Sequence, residues 1–382
     1  MRLPQGFRAG GIAAGLKRSG RHDLGVVVAD EPAVWALATT TNLVHAACVE
    51  RNRSLLEAGG PVQAIVVNSG SANCATGEGG ALDNEEYARM VASALHLSGG
   101  SDVLTASTGV VGVPLPLDGI RQGLPNLTHS LSSDGADFAR AVITTDTVTK
   151  EVAAELPGGG RIVGVAKGSG MIHPNMATML AFVLTDAKVE QEALRDLWRQ
   201  IVARTFNQIT VDGDTSPNDM AMLLSSGRTE TEWRSFAAAL AGVCRRLAQK
   251  IARDGEGATK LLTVKVEGAR SGEEARAAAR AVAGSPLVKA AVHGNDPNWG
   301  RILVALGRSG AQFDPGQATI SLQGTTVYRE SPVDFDAAEV SRALADPDVL
   351  IHVELGAGDG SGTAWGCDLS AEYVRINADY TT

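Results

Sequence analysis

GVAKGSGMIHPNMATMLAFVLTD, residues 164–186, runs from a short apolar stretch through a Gly/Pro-rich connection into an unbroken apolar segment. Both ends read as strands, and KEVAAEL (150–156) just before them reads as a third. Thr178 opens the second apolar run. A Thr in that place is ordinarily a β-branched strand former. The alternative is chemical. The Thr178 hydroxyl attacks the Ala177 carbonyl, the Ala177–Thr178 amide gives way to an ester, and water takes up the Ala177 acyl group, so Thr178 keeps its hydroxyl while gaining a free α-amine. An α-amine titrates at about 7.7–8.0, so beside a hydroxyl it makes a nucleophile that needs no histidine. Gly168 and Gly170 supply the backbone freedom such a strained turn requires. The residues alone leave both readings open.

Outward from this stretch, LGVVVAD (24–30), VQAIVVN (62–68) and SDVLTAS (101–107) read as strands ending in small polar residues. In DNEEYARMVASALHL, residues Tyr87, Met90, Val91, Ala94 and Leu95 share one helical face. Asp83 and Glu86 have the spacing of a capping box at its start. GADFARAVITTD (135–146) reads as a helix running into a turn. Two more helices follow, at about 190–205 and at 231–253, the second expected to turn Trp233, Phe236, Leu240, Val243, Leu247 and Ile251 inward. LLTVKVEG (261–268), ATISLQG (318–324), VLIHVELG (349–356) and GTAWGCDLS (362–370) read as strands around a helix at 272–284. Elements of both types throughout mean α/β or α+β, with helices covering sheets. A lobe boundary near 185–190 is weakly signalled.

The composition excludes several classes. Of 382 residues, 44% are hydrophobic and 20% charged, so the chain buries a core rather than staying disordered. A net charge of −9 argues against nucleic acid, whose binding needs a basic face. No apolar run approaches the ~18 residues of a membrane span, and the first 30 residues lack a signal-peptide core. A cytoplasmic protein is expected. Cys48, Cys74, Cys244 and Cys367 form no CxxC pair and read as buried reduced thiols. GEGATK (255–260) lacks the P-loop spacing. VDGDTSPND (211–219) has Pro217 where a calcium loop needs Gly. His173 reads as a solvated loop side chain. NSGSAN (68–73) and DPNWG (296–300) read as tight turns, with Trp299 as packing.

The motif KGSGMIHPNMATML resembles the ornithine acetyltransferase (glutamate N-acetyltransferase) family. The likeness covers nearly the whole chain, through GFRAGGIAAGLK, VVNSGSANCATG (66–77), TASTGVVG (105–112), ITTDTVTKE (143–151), TFNQITVDGDTSPND (205–219), DGEGATK (254–260), SPLVKAAVHGNDPNWGR (285–301) and YVRINADYTT.

The resemblance implies self-cleavage before Thr178 into an α chain (1–177) and a β chain (178–382) that stay associated, as an α2β2 heterotetramer. It implies two sheets sandwiched between helical layers, with the active site between two lobes. Thr178 then takes the acetyl group of N-acetylornithine and passes it to glutamate in a ping-pong cycle of arginine biosynthesis. No metal or cofactor is implied; acetyl-CoA stands as an open second donor. Thr108 and Gly109 match the oxyanion hole, where each donor is worth about 2.7–4 kcal/mol. Thr144, Lys167, Thr178, Glu256, Asn377 and Thr382 match substrate-contacting positions. Lys167 would bind the substrate carboxylate or keep the Thr178 amine neutral. Glu256 would hold the side-chain ammonium of ornithine or shuttle a proton. The competing reading is a self-cleaving aminopeptidase, with water as the acyl acceptor.

Overall fold

The computed structural model describes residues 1–173 and 179–379. The first lobe contains β1 (Phe7–Ile12), β2 (Leu24–Thr39), α1 (Ala47–Ala58), β3 (Val62–Ser71), α2 (Gly77–Ala94), β4 (Val103–Val110), α3 (Leu117–His129) and α4 (Ala136–Val142). It continues with β5 (Lys150–Glu155), β6 (Arg161–Lys167), β7 (Leu180–Ala187) and α5 (Gln191–Arg204). After the two-residue β8 (Ile209–Thr210), β9 (Met220–Thr229) and α6 (Trp233–Arg253) complete it.

Among the described residues, eight strands form one sheet in the order β4-β3-β2-β9-β7-β6-β5, with β1 on β2. β2 serves two halves of it. Its first part pairs with β1 and β3, and Val34–Thr39 pair with β9. Between these parts Asp30, Glu31 and Pro32 are exposed, and Pro32, lacking an N–H, sits where the ladder is interrupted. The alternation of side chains shows what the bend does. Val27, Ile65 and Leu104 of one half share a core with Phe182, Leu184 and Met222 of the other. The outer face of the first half, including Val26 and Val66, packs on Tyr87 of α2 and Ile120 of α3. The outer face of the second, including Val183 and Leu223, packs on Trp198 of α5 and Leu247 of α6. The expected sandwich between helical layers is therefore present, and its two sheets are the halves of one folded sheet.

The second lobe holds β10 (Leu261–Ala269), α7 (Gly272–Ala283), α8 (Pro286–His293), α9 (Trp299–Gly307), β11 (Thr319–Leu322), β12 (Thr325–Arg329) and β13 (Ser331–Pro332). α10 (Ala337–Ala343), β14 (Asp348–Glu354), β15 (Gly360–Cys367) and α11 (Ala371–Asp379) follow. Its seven strands run β13-β12-β11-β14-β10-β15-β8, covered on one face by α7 and α9. β8 reaches across from the first lobe, and α6 packs on strands of both sheets. No helix among the described residues is long and apolar enough to cross a membrane. All four cysteines are buried free thiols.

Several local expectations need correction. α2 starts at Gly77, so Asp83 and Glu86 lie inside it rather than capping it; Glu86 pairs with Arg89 at 2.9 Å. α4 stops at Val142. Trp233, expected inward, is the first residue of α6 and 41% exposed, with its ring beside Phe236 at 5.8 Å between centroids. Asn68–Ser71 do not turn: they extend β3 parallel to Ser107–Val110. Trp299 packs as expected, stacked on Tyr328 with ring centroids 5.1 Å apart.

Candidate active site

Two parallel strands, β3 and β4, end side by side with Gly70 opposite Gly109. Gly109 has φ +135°, and a Cβ there would stand 2.4 Å from the Gly70 carbonyl carbon. Only glycine fits. Its neighbour Thr108 is 4% exposed and accepts a hydrogen bond from Lys167 Nζ at 3.0 Å. Lys167 ends β6 on the other half of the sandwich, so the folded sheet joins two residues 59 positions apart. This lysine is no surface residue, at 3% exposure. Burial lowers its pKa, against the pull of Asp146, Asp219 and Glu256.

A buried carboxylate organises the floor. Asp146 accepts Gly168 N–H at 2.7 Å and Thr144 N–H at 3.0 Å, and pairs with Lys150 at 2.5 Å. Burial opposes its charge, but Lys150, Lys167 and the Gly168 N–H outweigh that and hold the carboxyl below its usual range. Lys150 also reaches Asp254 at 2.5 Å, and the Asp254 carbonyl accepts the Ser169 hydroxyl. Glu256 N–H donates to the Ser169 carbonyl at 3.0 Å, so the turn 168–170 is tied to the segment 254–256. A Cβ on Gly170 would meet the Glu256 carboxylate at 2.4 Å. Asn377 of α11 donates to Glu256 Oε2 at 3.0 Å. Nearby Tyr373 has its hydroxyl pushed up to about 12, by burial first and by surrounding carboxylates after it.

The residues expected from the sequence thus form two linked groups. Thr108, Gly109, Thr144 and Lys167 surround the strand ends. Glu256 and Asn377 form the second group, within electrostatic reach of Lys167. Ala177, Thr178 and Thr382 lie outside the described residues. Met179, the next residue after Thr178, is fixed on both sides. Its N–H donates to Asp219 Oδ1 at 2.8 Å, and its carbonyl accepts Met220 N–H at 3.2 Å. Met171 and Ile172 N–H groups are held by the Asp212 carboxylate at 2.5 and 2.8 Å. His173 is half-buried on Thr210 rather than solvated, and burial lowers its pKa.

Sequence reasoning assigned no role to Asp146 or Asp219. Both sit in segments that carry the family likeness, ITTDTVTKE and TSPND, yet nothing in a lone Asp says that it turns inward. Asp219 is 1% exposed, with Oδ2 lacking a hydrogen-bond partner among the described residues. Burial raises its pKa well above the usual carboxylate value, despite Lys167, the Met179 N–H and nearby Ser216. Among the described residues, no group of three or more His, Cys, Asp or Glu is placed to hold a metal ion.

Together these groups can bind an acyl carbonyl oxygen. Thr108 accepts from an ammonium, which leaves its O–H free to donate. Gly109 is an exposed residue and has no side chain of its own.

Known proteins are similar to this chain. The ArgJ family model matches residues 8–382. The arginine biosynthesis bifunctional protein ArgJ of Thermus thermophilus is 55% identical over 383 residues, covering 100% of both chains. That of Deinococcus radiodurans is 54% identical, covering 100% of this chain and 98% of its own. Among solved structures, the arginine biosynthesis bifunctional protein of Bacillus halodurans aligns at a TM-score of 0.51 and 44% identity, over 52% of this chain and 98% of that one.

Proposed function

Because the chain belongs to the ArgJ family, we propose that it is an acetyltransferase of arginine biosynthesis that moves the acetyl group of N-acetylornithine to glutamate through Thr178. The observation that carries this reading is the buried Lys167–Thr108 hydrogen bond beside Gly109. A hydroxyl whose lone pair accepts from an ammonium is a stronger donor through its own hydrogen. In the first half-reaction Thr178 Oγ bonds to the acetyl carbon. The carbonyl oxygen gathers charge and is met by the Thr108 O–H and Gly109 N–H. The C–N bond then breaks, and the departing ornithine amine keeps the proton given up by Thr178, relayed through the Thr178 α-amine. Glutamate enters, its amine attacks the acetyl ester, and N-acetylglutamate leaves with Thr178 restored. Glu256, steadied by Asn377, offers a carboxylate to the ornithine side-chain ammonium, and Thr144 and Thr382 add polar contacts.

The same residue makes the enzyme. The chain cleaves itself between Ala177 and Thr178, giving pieces 1–177 and 178–382 that remain together and assemble as α2β2 in the cytoplasm. A solved relative matched over 98% of its chain spans only half of this one, which supports two separate pieces in that relative. No metal or cofactor takes part. The relatives' printed description as bifunctional supports acetyl-CoA as a second donor.

The test is an assay of purified protein with acetylornithine and glutamate, beside mass spectrometry of its chains. Transfer to glutamate by a preparation beginning at Thr178 is expected. Peptide-amide hydrolysis outpacing that transfer would favour the aminopeptidase reading, and an active intact chain would end the Thr178 mechanism.

A further inference from the structure

A cavity of about 530 Å³ lies where the two lobes meet. Arg204, the last residue of α5, and Arg245 of α6 form its first-lobe side. β10, the start of α7 and β15 form the other side. Its volume is within the ~300–1,000 Å³ range of small-molecule sites. It shares no residue with the groups around Gly109 or Glu256.

The register of β15 against β10 sets the floor. Thr363 stands opposite Lys265, and Trp365 opposite Thr263. Side chains alternate along a strand, so Ser361, Thr363 and Trp365 of β15 share a face with Lys265 and Glu267 of β10. Trp365 is 3% exposed, and its Nε1–H is buried without a hydrogen-bond partner among the described residues. An indole N–H can only donate, and leaving one buried and unpaired is costly. A ligand that brings an acceptor to this floor removes that cost.

The charges on the wall do not balance. Lys265 pairs with Glu267 at 2.9 Å, and that carboxylate also meets His352 at 2.6 Å. The guanidinium groups of Arg204, Arg245 and Arg276 have neither an ion pair nor a hydrogen bond among the described residues. Asp359, which is exposed, is the other carboxylate of the wall. Three guanidinium groups thus face one carboxylate, an excess of positive charge in a chain of net charge −9. The Arg276 guanidinium folds back over the start of α7, where a Cβ on Gly272 would come within 3.2 Å of it. Like charges gathered from two lobes repel each other unless an anion lies between them.

We propose that this cavity is a binding site for a small polyanion, one carrying at least two negative charges on phosphate or carboxylate groups, and that the anion bridges the two lobes. Guanidinium groups meet either kind of group with paired N–H donors. The Ser361 and Thr363 hydroxyls and the Trp365 Nε1–H supply uncharged donors to the remaining oxygens. A zwitterionic amino acid matches this wall poorly, because its ammonium would stand among guanidinium groups. The site is separate from the proposed transfer chemistry and does not depend on it.

The experiment is titration calorimetry of the purified full-length protein with pyrophosphate and citrate as separate probes, sodium chloride holding the ionic strength constant. Binding of at least one probe with Kd below about 1 mM is expected. The tighter of the two shows whether the site prefers phosphate or carboxylate groups. Arg204→Gln/Arg245→Gln removes the first-lobe side and Arg276→Gln the other; each weakens binding about tenfold or more, the loss of charge-assisted hydrogen bonds. Trp365→Phe keeps an aromatic ring without the N–H and weakens binding about threefold or more. Arg204→Lys/Arg245→Lys keeps part of the affinity. The bound probe also raises the unfolding midpoint of the wild type by mass action, and the rise shrinks in the glutamine variants. Two results overturn the proposal: neither probe binds with Kd below about 1 mM, or a glutamine variant or Trp365→Phe keeps wild-type affinity.

Discussion

Gly109 shows how one missing side chain sets the path of a strand end. Its φ of +135° and its approach to the Gly70 backbone leave no room for a Cβ. Gly109→Ala should therefore move the backbone that carries the proposed oxyanion donor and lower kcat about 10²–10³-fold, the usual effect of losing one such donor. Steady-state transfer from acetylornithine measures it, and wild-type kcat in a folded variant contradicts the assignment. Thr178→Ala should abolish both chain cleavage and transfer, because in the proposed mechanism one hydroxyl serves both, whereas Thr178→Ser retains part of each. Electrophoresis of the purified variants reads the first effect; abundant two-chain product from the alanine variant refutes a shared nucleophile. At this scale the candidate positions came from the resemblance of whole motifs rather than from any mark on the single residues. Asp146 and Asp219 were not legible, since an isolated Asp in a polar stretch carries no mark of being buried.

At the scale of elements, the sequence revealed strands better than helices, and the reason is visible in α1. Its buried face contains Arg51 and Asn52, which break the apolar period. Arg51 donates to the Val103 and Gly100 carbonyls, and Asn52 exchanges two hydrogen bonds with Thr105 of β4. Similarly, the sequence reading starts α2 near Asp83, after the glycines at 77, 79 and 80, yet Gly80 is needed inside the helix: a Cβ would collide with the Thr76 hydroxyl and Asn73 amide. The end of the β5–β6 pair where β5 begins and β6 stops makes a signed prediction. Asp146 is held below the usual carboxylate range by Lys150 and Lys167. Its contribution to stability is thus complete above its unfolded value of about 3.9. It is lost as pH falls from there through the lowered folded value. Asp146→Asn should consequently unfold at lower denaturant than wild type at pH 7, with the gap closing toward pH 2. A gap independent of pH argues against an ionised Asp146 as the source.

For the whole molecule, the central matter is where the proposed cut falls in the sheet. Pairing partners were not legible, because nothing local in β2 says that it bends at Pro32 and reaches β9, some 190 positions away. The pairing has a consequence for the two pieces. β6 precedes the cut and pairs through Ile162–Lys167 with β7, which follows it. β9, also in the second piece, pairs with β2 of the first through Val34–Thr39. The second piece therefore supplies two adjacent strands in the middle of a sheet whose neighbours on both sides come from the first. Both faces of those strands are buried, Phe182 and Met222 in the inner core and Val183 and Leu223 against α5 and α6. Separation would open two unpaired strand edges in each piece and expose apolar surface on both faces. The pieces should accordingly co-elute in gel filtration under native conditions and part only in denaturant, and residues 1–177 produced alone should aggregate. A soluble, monomeric 1–177 piece, or release of either piece in buffer without denaturant, would show that this interdigitated sheet does not hold the processed enzyme together.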